Sequence, residues 1–251
     1  MNCSIELPFD KIFLYVDEQE DLDRDKLKEI IQQRTSRSVK LKGDFFKEKY
    51  SKGLEEDIAW TRVRKKNERK FQKPLPKEVK IESEMIEGGK EIRGIIYDGF
   101  RLLRLMRELL TVEEEKEHTL VISKRTVGTL EGNEDRYHVR AVINGIPSLI
   151  STTGIVEGPA KPREYYFAYG DQREDVLDFR PMSHSDERME SAVASYILQT
   201  IFWRLTGDPF CGRDCRLYNS HWQREVIEYQ VRSGLCEKHE NILKSFSEKP
   251  R

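Results

Sequence analysis

Three cysteines and one histidine near the end of this 251-residue sequence have the types and spacing to hold a metal. Cys211 and Cys215 are separated by three residues, and Cys236 and His239, twenty residues further on, by two. Two short-spaced ligand pairs joined by a loop match structural zinc sites. Thiolates and a neutral imidazole bind zinc tetrahedrally, and four protein ligands leave no open position for a catalytic water. The competing account is three buried free thiols and an exposed histidine. Four cysteines in the whole chain are too few for a disulfide scaffold. A structural zinc held by Cys211, Cys215, Cys236 and His239 is therefore the expectation.

Such a site needs a rigid approach on each side. Before it, Met189–Leu205 reads MESAVASYILQTIFWRL, with Val193, Tyr196, Ile197, Thr200, Ile201 and Arg204 on one helical face. Gly207 and Pro209 end that helix, because glycine tolerates the left-handed cap and proline cannot continue the hydrogen-bond ladder. Between the ligand pairs, Trp222–Val231 offers a second amphipathic helix that carries Cys236 and His239 back to Cys211 and Cys215.

Upstream, Lys11–Val16 (KIFLYV) is a short apolar, β-branched and aromatic run that reads as a buried strand. Leu22, Leu27, Ile30 and Ile31 follow at near-helical spacing, and Val39–Leu41 is extended before Phe45 and Phe46, giving a β-α-β opening. Residues 48–80 are rich in Lys, Arg and Glu, with Pro74 and Pro76 marking a connector. Gly94–Leu110 places Ile96, Phe100, Leu103, Met106 and Leu110 at spacings of three and four, an amphipathic helix. HTLVISKR and YHVRAVING are strand-like and are expected to pair as a hairpin across GTLEGNEDR. SLISTTGIVEGPAKPREYYFAYG reads as a strand leaving into a surface loop, and residues 171–190 as a connector into the last long helix.

Charge and composition exclude several classes. The 44 basic and 45 acidic side chains nearly cancel, so the chain as a whole has no attraction to nucleic acid or anionic membranes. The run RVRKKNERK from Arg62 reads as a solvated helix face in preference to a phosphate-binding surface, and nucleic acid is not an expected partner. The N-terminus has no basic segment followed by a long apolar one, and no run approaches the roughly 18–20 apolar residues of a membrane span. A cytoplasmic protein without membrane association is expected. There is no phosphate-cradling loop and no dinucleotide-binding glycine fingerprint. Ser151, Thr152 and Thr153 lack a G-x-S-x-G elbow and an identifiable base, so backbone or substrate hydrogen bonding is their expected role.

With Cys211 as anchor, the C-terminal part resembles the archaemetzincin family of zinc peptidases. That family carries H-E-x-x-H-x-x-G-x-x-H-C on and after a helix, followed by further cysteines that bind a second, structural zinc. Gly207 falls on the motif's glycine, and Cys215–Ser220 (CRLYNS) is similar to the family's Cys-x-Met turn, with Leu217 in place of methionine. Cys236 and His239 stand where the family has its last Cys-x-x-Cys. The wider chain, including YHVRAVINGIPSLISTTGIVEGPAKPREYY, is similar to an archaeal family described as metallopeptidases. The resemblance implies a metzincin-like mixed sheet with packed helices and a C-terminal zinc knuckle.

At the catalytic positions the resemblance breaks. Thr200, Arg204 and Phe210 stand at the three histidines, and Ile201 at the general-base glutamate. Threonine is a poor zinc ligand, guanidinium stays cationic, and phenylalanine has no lone pair, so water cannot be activated there by the usual route. Arg204 is left as either an internal ion-pair partner or an anchor for a carboxylate.

His118 and His138 read as ordinary, partly exposed strand residues, and His184 has Asp186 and Glu187 near it in sequence. Glu157, Lys161 and Arg163, with Glu164, form a mixed-charge cluster that reads either as a solvated loop or as a surface for an extended polypeptide. The expectation is an α/β (α+β) chain, organised as an N-terminal segment 1–90 and a core 91–251 in one continuous globular unit. Its expected role is that of a noncatalytic archaemetzincin-like protein with a structural zinc that binds a peptide or protein partner. The alternative is a divergent zinc hydrolase whose centre is rebuilt from His138, His184 or His221 and a carboxylate.

Overall fold

The computed structural model describes residues 8–18, 20–64, 73–88, 94–131, 136–166, 179–212 and 214–247. In chain order the strands are β1 (Lys11–Val16), β2 (Ser38–Lys42), β3 (Ile96–Asp98), β4 (His118–Ser123), β5 (Thr126–Leu130), β6 (Tyr137–Arg140), β7 (Val142–Ile143) and β8 (Ser148–Ser151). The larger sheet has the order β2-β1-β4-β8-β7, parallel except for the edge strand β7. A smaller sheet, β3-β5-β6, has one parallel and one antiparallel pairing. The expected mixed sheet with packed helices is present.

The unbroken apolar run of β1 follows from burial on both faces, as in parallel sheets generally. Ile12, Leu14 and Val16 enter one core, and Phe13 and Tyr15 the other. On the first face lie α1 (Arg24–Thr35), which makes the crossover from β1 to β2, and a long helix, Met189–Thr206. On the second face lie α2 (Phe45–Glu48), α3 (Leu54–Trp60), α4 (Pro76–Ile86) and α5 (Gly99–Glu108). Two further short helices are α6 (Val112–Lys116) and α7 (Thr152–Glu157), so the long helix is α8. No helix among the described residues is long and apolar enough to cross a membrane.

Several local expectations are corrected by packing. Gly94–Leu110 is not one helix: Ile96–Asp98 is β3, and Asp98 caps α5 by accepting from the Arg101 N–H. The buried face of α5 is Gly99, Leu102 and Met106, while Phe100 is 61% exposed. Two adjacent stripes have helical spacing there, and Ile143, which lies against Gly99, selects the other one. HTLVISKR and YHVRAVING do not pair. The partner of β6 is β5, whose Gly128–Leu130 come from the stretch expected as a turn, and β4 sits between β1 and β8.

Residues 48–80 are more than a connector, since α3 buries Leu54, Ile58 and Ala59. Arg62, which opens the basic run, is buried against Glu82, and Arg64 pairs with Glu78; residues 65–70 lie outside the described residues. After β8 the chain does not reach a loop at once. Ser151 caps α7 by accepting from the Gly154 N–H, and Thr152 through Val156 are buried. Helix α8 is buried on every side from Ala192 to Phe202, where one buried face was expected.

Candidate metal centre

Helix α8 delivers the chain to the cysteine cluster through a tight stop. Gly207 takes a left-handed conformation at φ 76°, and its N–H donates to Trp203 O. Asp208 Oδ1 then accepts from the Phe210 N–H, turning the chain toward Cys211. Within the first ligand loop, Cys211 N donates to Leu217 O and Tyr218 N to Cys215 O, so the loop closes on itself.

The second pair arrives on α10 (Glu237–Ser247), preceded by α9 (Gln223–Glu225) and a π-helical stretch, Val226–Arg232. This is the expected connecting helix, widened. Buried Gln230 on the π-helical stretch donates to Tyr218 O (2.7 Å) and Arg216 O (3.2 Å), and Ser191 on α8 donates to Val231 O (3.1 Å). Loop, π-helical stretch and α8 are thereby tied together.

The donor atoms of Cys211, Cys215, Cys236 and His239 all lie within 4.8 Å of one another. Cys211 Sγ is 3.8 Å from Cys236 Sγ, Cys215 Sγ is 3.6 Å from His239 Nδ1, and Cys236 Sγ is 3.1 Å from His239 Nδ1. Zinc bonds of about 2.3 Å to sulfur and 2.0–2.1 Å to nitrogen give tetrahedral edges of about 3.8 Å and 3.6 Å. Two of the observed edges match, and the third is shorter. The donor set and the spacing fit zinc.

The electrostatics agree in part. Burial, then Lys238, lowers the pKa of His239 and keeps its lone pair free. Burial opposes ionisation of Cys236, but the N–H groups of His239 and Lys238 and the neighbouring thiols outweigh it, and this thiol lies below its ordinary value. Burial and the adjacent Cys215 push the Cys211 thiol up to about 11. The N–H of Cys236 donates to Cys215 Sγ (3.4 Å).

The four residues that the resemblance sets against the peptidase motif are placed as follows. Thr200 and Ile201 are both 0% exposed, Ile201 in the core and Thr200 against the imidazole of His118, 3.2 Å away. Arg204 Nη2 donates to Lys116 O (3.3 Å), and its Nε is buried without a hydrogen-bond partner. Phe210 is 38% exposed. His118, expected to be partly exposed, is 2% exposed and stacks on Phe9. Burial and the charge of Arg204 lower its pKa to about 3.

The remaining candidates disperse. His138 lies on β6 opposite Thr129, and His221 is exposed. His184 Nε2 is 3.7 Å from Glu157 Oε1; Asp186, its neighbour in sequence, is held by Arg188 at 2.6 and 2.8 Å. Lys161 Nζ donates to Val156 O (2.7 Å), and Arg163 is exposed. Arg204 stands at the amino end of β4, whereas Glu157, Lys161 and Arg163 follow the carboxyl end of the parallel strand β8. The five steps between the six residues of β4, at about 3.3 Å each, separate those strand ends by roughly 16 Å. Among the described residues no second group of three metal-ligating side chains converges.

No curated protein sequence matches the chain. A crystal structure of a zinc-dependent peptidase from Methanocorpusculum labreanum is similar, at 14% identity and a TM-score of 0.44, over 92% of this chain and 99% of that one. A family model described as "Probable metallopeptidase family (DUF6775)" matches residues 8–246, and the chain belongs to that family.

Proposed function

We propose that this metallopeptidase-family chain is a noncatalytic member, in which Cys211, Cys215, Cys236 and His239 hold a structural zinc. The observation that carries this reading is the packing of Thr200 and Arg204 against the start of β4. Thr200 faces a neutral imidazole, and Arg204 binds a backbone carbonyl. With Ile201 in the core, no ligand triad and no base is offered along the helix. Zinc at the knuckle supplies a cross-link between the end of α8 and the start of α10; with four protein ligands it has no position for water.

A peptide or protein partner is part of the proposal. Ala160 pairs with the segment 221–223 through Ala160 N to His221 O and Gln223 N to Ala160 O, both 2.8 Å. The aromatic side chains of Trp222 and Tyr166, beside this segment in sequence or pairing, are 50% and 63% exposed. Exposed aromatics beside Glu157, Lys161 and Arg163 suit an extended polypeptide.

Metal counting with a peptidase assay tests the reading. The expected result is one zinc per chain, lost in Cys236→Ala, and no peptide hydrolysis above a buffer control. A second zinc with hydrolysis overturns the noncatalytic reading in favour of a relocated centre. Partner binding is tested on arrayed peptides, where Trp222→Ser should abolish retention; equal retention removes this surface from the proposal.

A further inference from the structure

The three thiols of the knuckle are unequally accessible. Cys215 is 1% exposed, whereas Cys211 and Cys236 are only partly buried. The sulfurs of these two partly exposed residues are 3.8 Å apart, although the residues are 25 positions apart in sequence. Cys211 lies just after α8, and Cys236 just before α10. One edge of the ligand tetrahedron therefore runs between the two less buried cysteines and joins the two segments that the proposed metal joins.

We infer that Cys211 and Cys236 form an oxidation site at which a hydroperoxide exchanges the zinc staple for a disulfide staple. The inference rests on the zinc reading above. One thiolate attacks a peroxide oxygen, the O–O bond breaks, and the sulfur leaves as a sulfenic acid while hydroxide departs. The second thiolate attacks that sulfur, the S–O bond breaks, and a second hydroxide departs. Two thiolates lose two electrons, the hydroperoxide gains them, and two protons from solvent convert the departing groups to water or, for an organic peroxide, water and alcohol. The sulfurs need only close from 3.8 Å to about 2.05 Å.

Cys215 and His239 then remain as a ligand pair, and two ligands do not retain the ion. The C-terminal helix nevertheless stays docked. The disulfide ties the same segments that zinc tied, and Arg34 on α1 still holds Glu240 on α10 at 2.8 Å. Oxidation thus releases zinc without releasing the helix.

The test uses the full chain with Cys3→Ser, because Cys3 lies outside the described residues and its removal leaves the three knuckle thiols. Zinc is counted, hydrogen peroxide is added, release is followed with a chromogenic chelator, and proteolytic peptides are mapped by mass. Zinc should leave in step with a disulfide joining Cys211 and Cys236, one per ion. The oxidised, zinc-free protein should melt on the order of 10 °C above the reduced, chelator-stripped protein. A disulfide that includes Cys215, a sulfinic acid on a single cysteine, zinc that stays bound, or equal melting points overturns the exchange while leaving the zinc staple standing. A chain that carries no zinc before treatment overturns the staple itself, and the exchange with it.

Discussion

The hydroxyl of Thr200 lies 2.7 Å from Ile197 O and 3.2 Å from His118 Nε2, so its one proton goes to the carbonyl and the imidazole is the donor in the second contact. A neutral histidine with its proton on Nε2 therefore fills the space beside position 200. The Thr200 hydroxyl is thus the acceptor of a structural hydrogen bond across two elements.

The buried imidazole makes stability depend on pH. Its folded pKa of about 3 lies below the unfolded value of about 6.5, so between these values the unfolded chain binds more protons. The stabilisation is complete above about pH 6.5 and is lost as the pH falls toward 3. Between pH 7.5 and pH 5 the loss from this group is about 2 kcal/mol. His118→Gln keeps a donor for Thr200 and removes the titration. Urea unfolding at both pH values should show the variant losing about 2 kcal/mol less than the parent, other groups cancelling between the two proteins. Equal losses would mean that His118 is not held neutral.

Glu82 is 0% exposed and carries two arginines. Its Oε1 accepts from Arg62 Nε (2.6 Å) and Tyr97 OH (2.7 Å), and its Oε2 from Arg125 Nη1 (2.6 Å). Glu82→Gln leaves two buried guanidinium groups facing a neutral amide and should cost about 3–5 kcal/mol, whereas Tyr97→Phe should cost about 1–2 kcal/mol. Chemical denaturation ranks the two, and the reverse order would show that the charges are not what holds this cluster.

The sequence made legible what depends on neighbours along the chain. KIFLYV announces a strand because both of its faces are buried, and the four knuckle ligands announce themselves by type and spacing. What stayed hidden depends on distant partners. His118 meets Thr200 across 82 positions, and nothing near either residue marks the contact. Arg62 opens a run that looks like a solvated charge face, and only Glu82, twenty residues on, makes it a core residue. Gly128–Leu130 resemble turn material until Ile96–Asp98 and Tyr137–Arg140 flank their strand on either side.

Two glycines should differ in tolerance although both are crowded. A Cβ on Gly154 would collide with the backbone carbonyl of Arg140, and one on Gly99 with the terminal methyl of Ile143. A backbone carbonyl fixed in β6 cannot retreat, while an isoleucine methyl can rotate away. Gly154→Ala should cost about 3 kcal/mol or more and Gly99→Ala about 1 kcal/mol. Thermal melts of the two variants check this, and a Gly154→Ala protein as stable as the parent would mean that α7 does not sit directly on β6.

Phe202 on α8 is fully buried and meets the ring of His239 edge-on, with centroids 4.7 Å apart. It therefore touches a proposed metal ligand as well as the core. Phe202→Ala should cost about 3–5 kcal/mol from lost packing alone. If the ring also holds His239 in place, the variant binds zinc more weakly, and mass action adds to the deficit only when zinc is present. Unfolding measured with zinc should then show a larger deficit than unfolding measured with chelator. Leu14→Ala serves as the control, since Leu14 is equally buried in the same core but lies on β1. Its deficit should be the same in both conditions. Equal deficits for Phe202→Ala would separate the helix from the metal centre and remove the coupling between them.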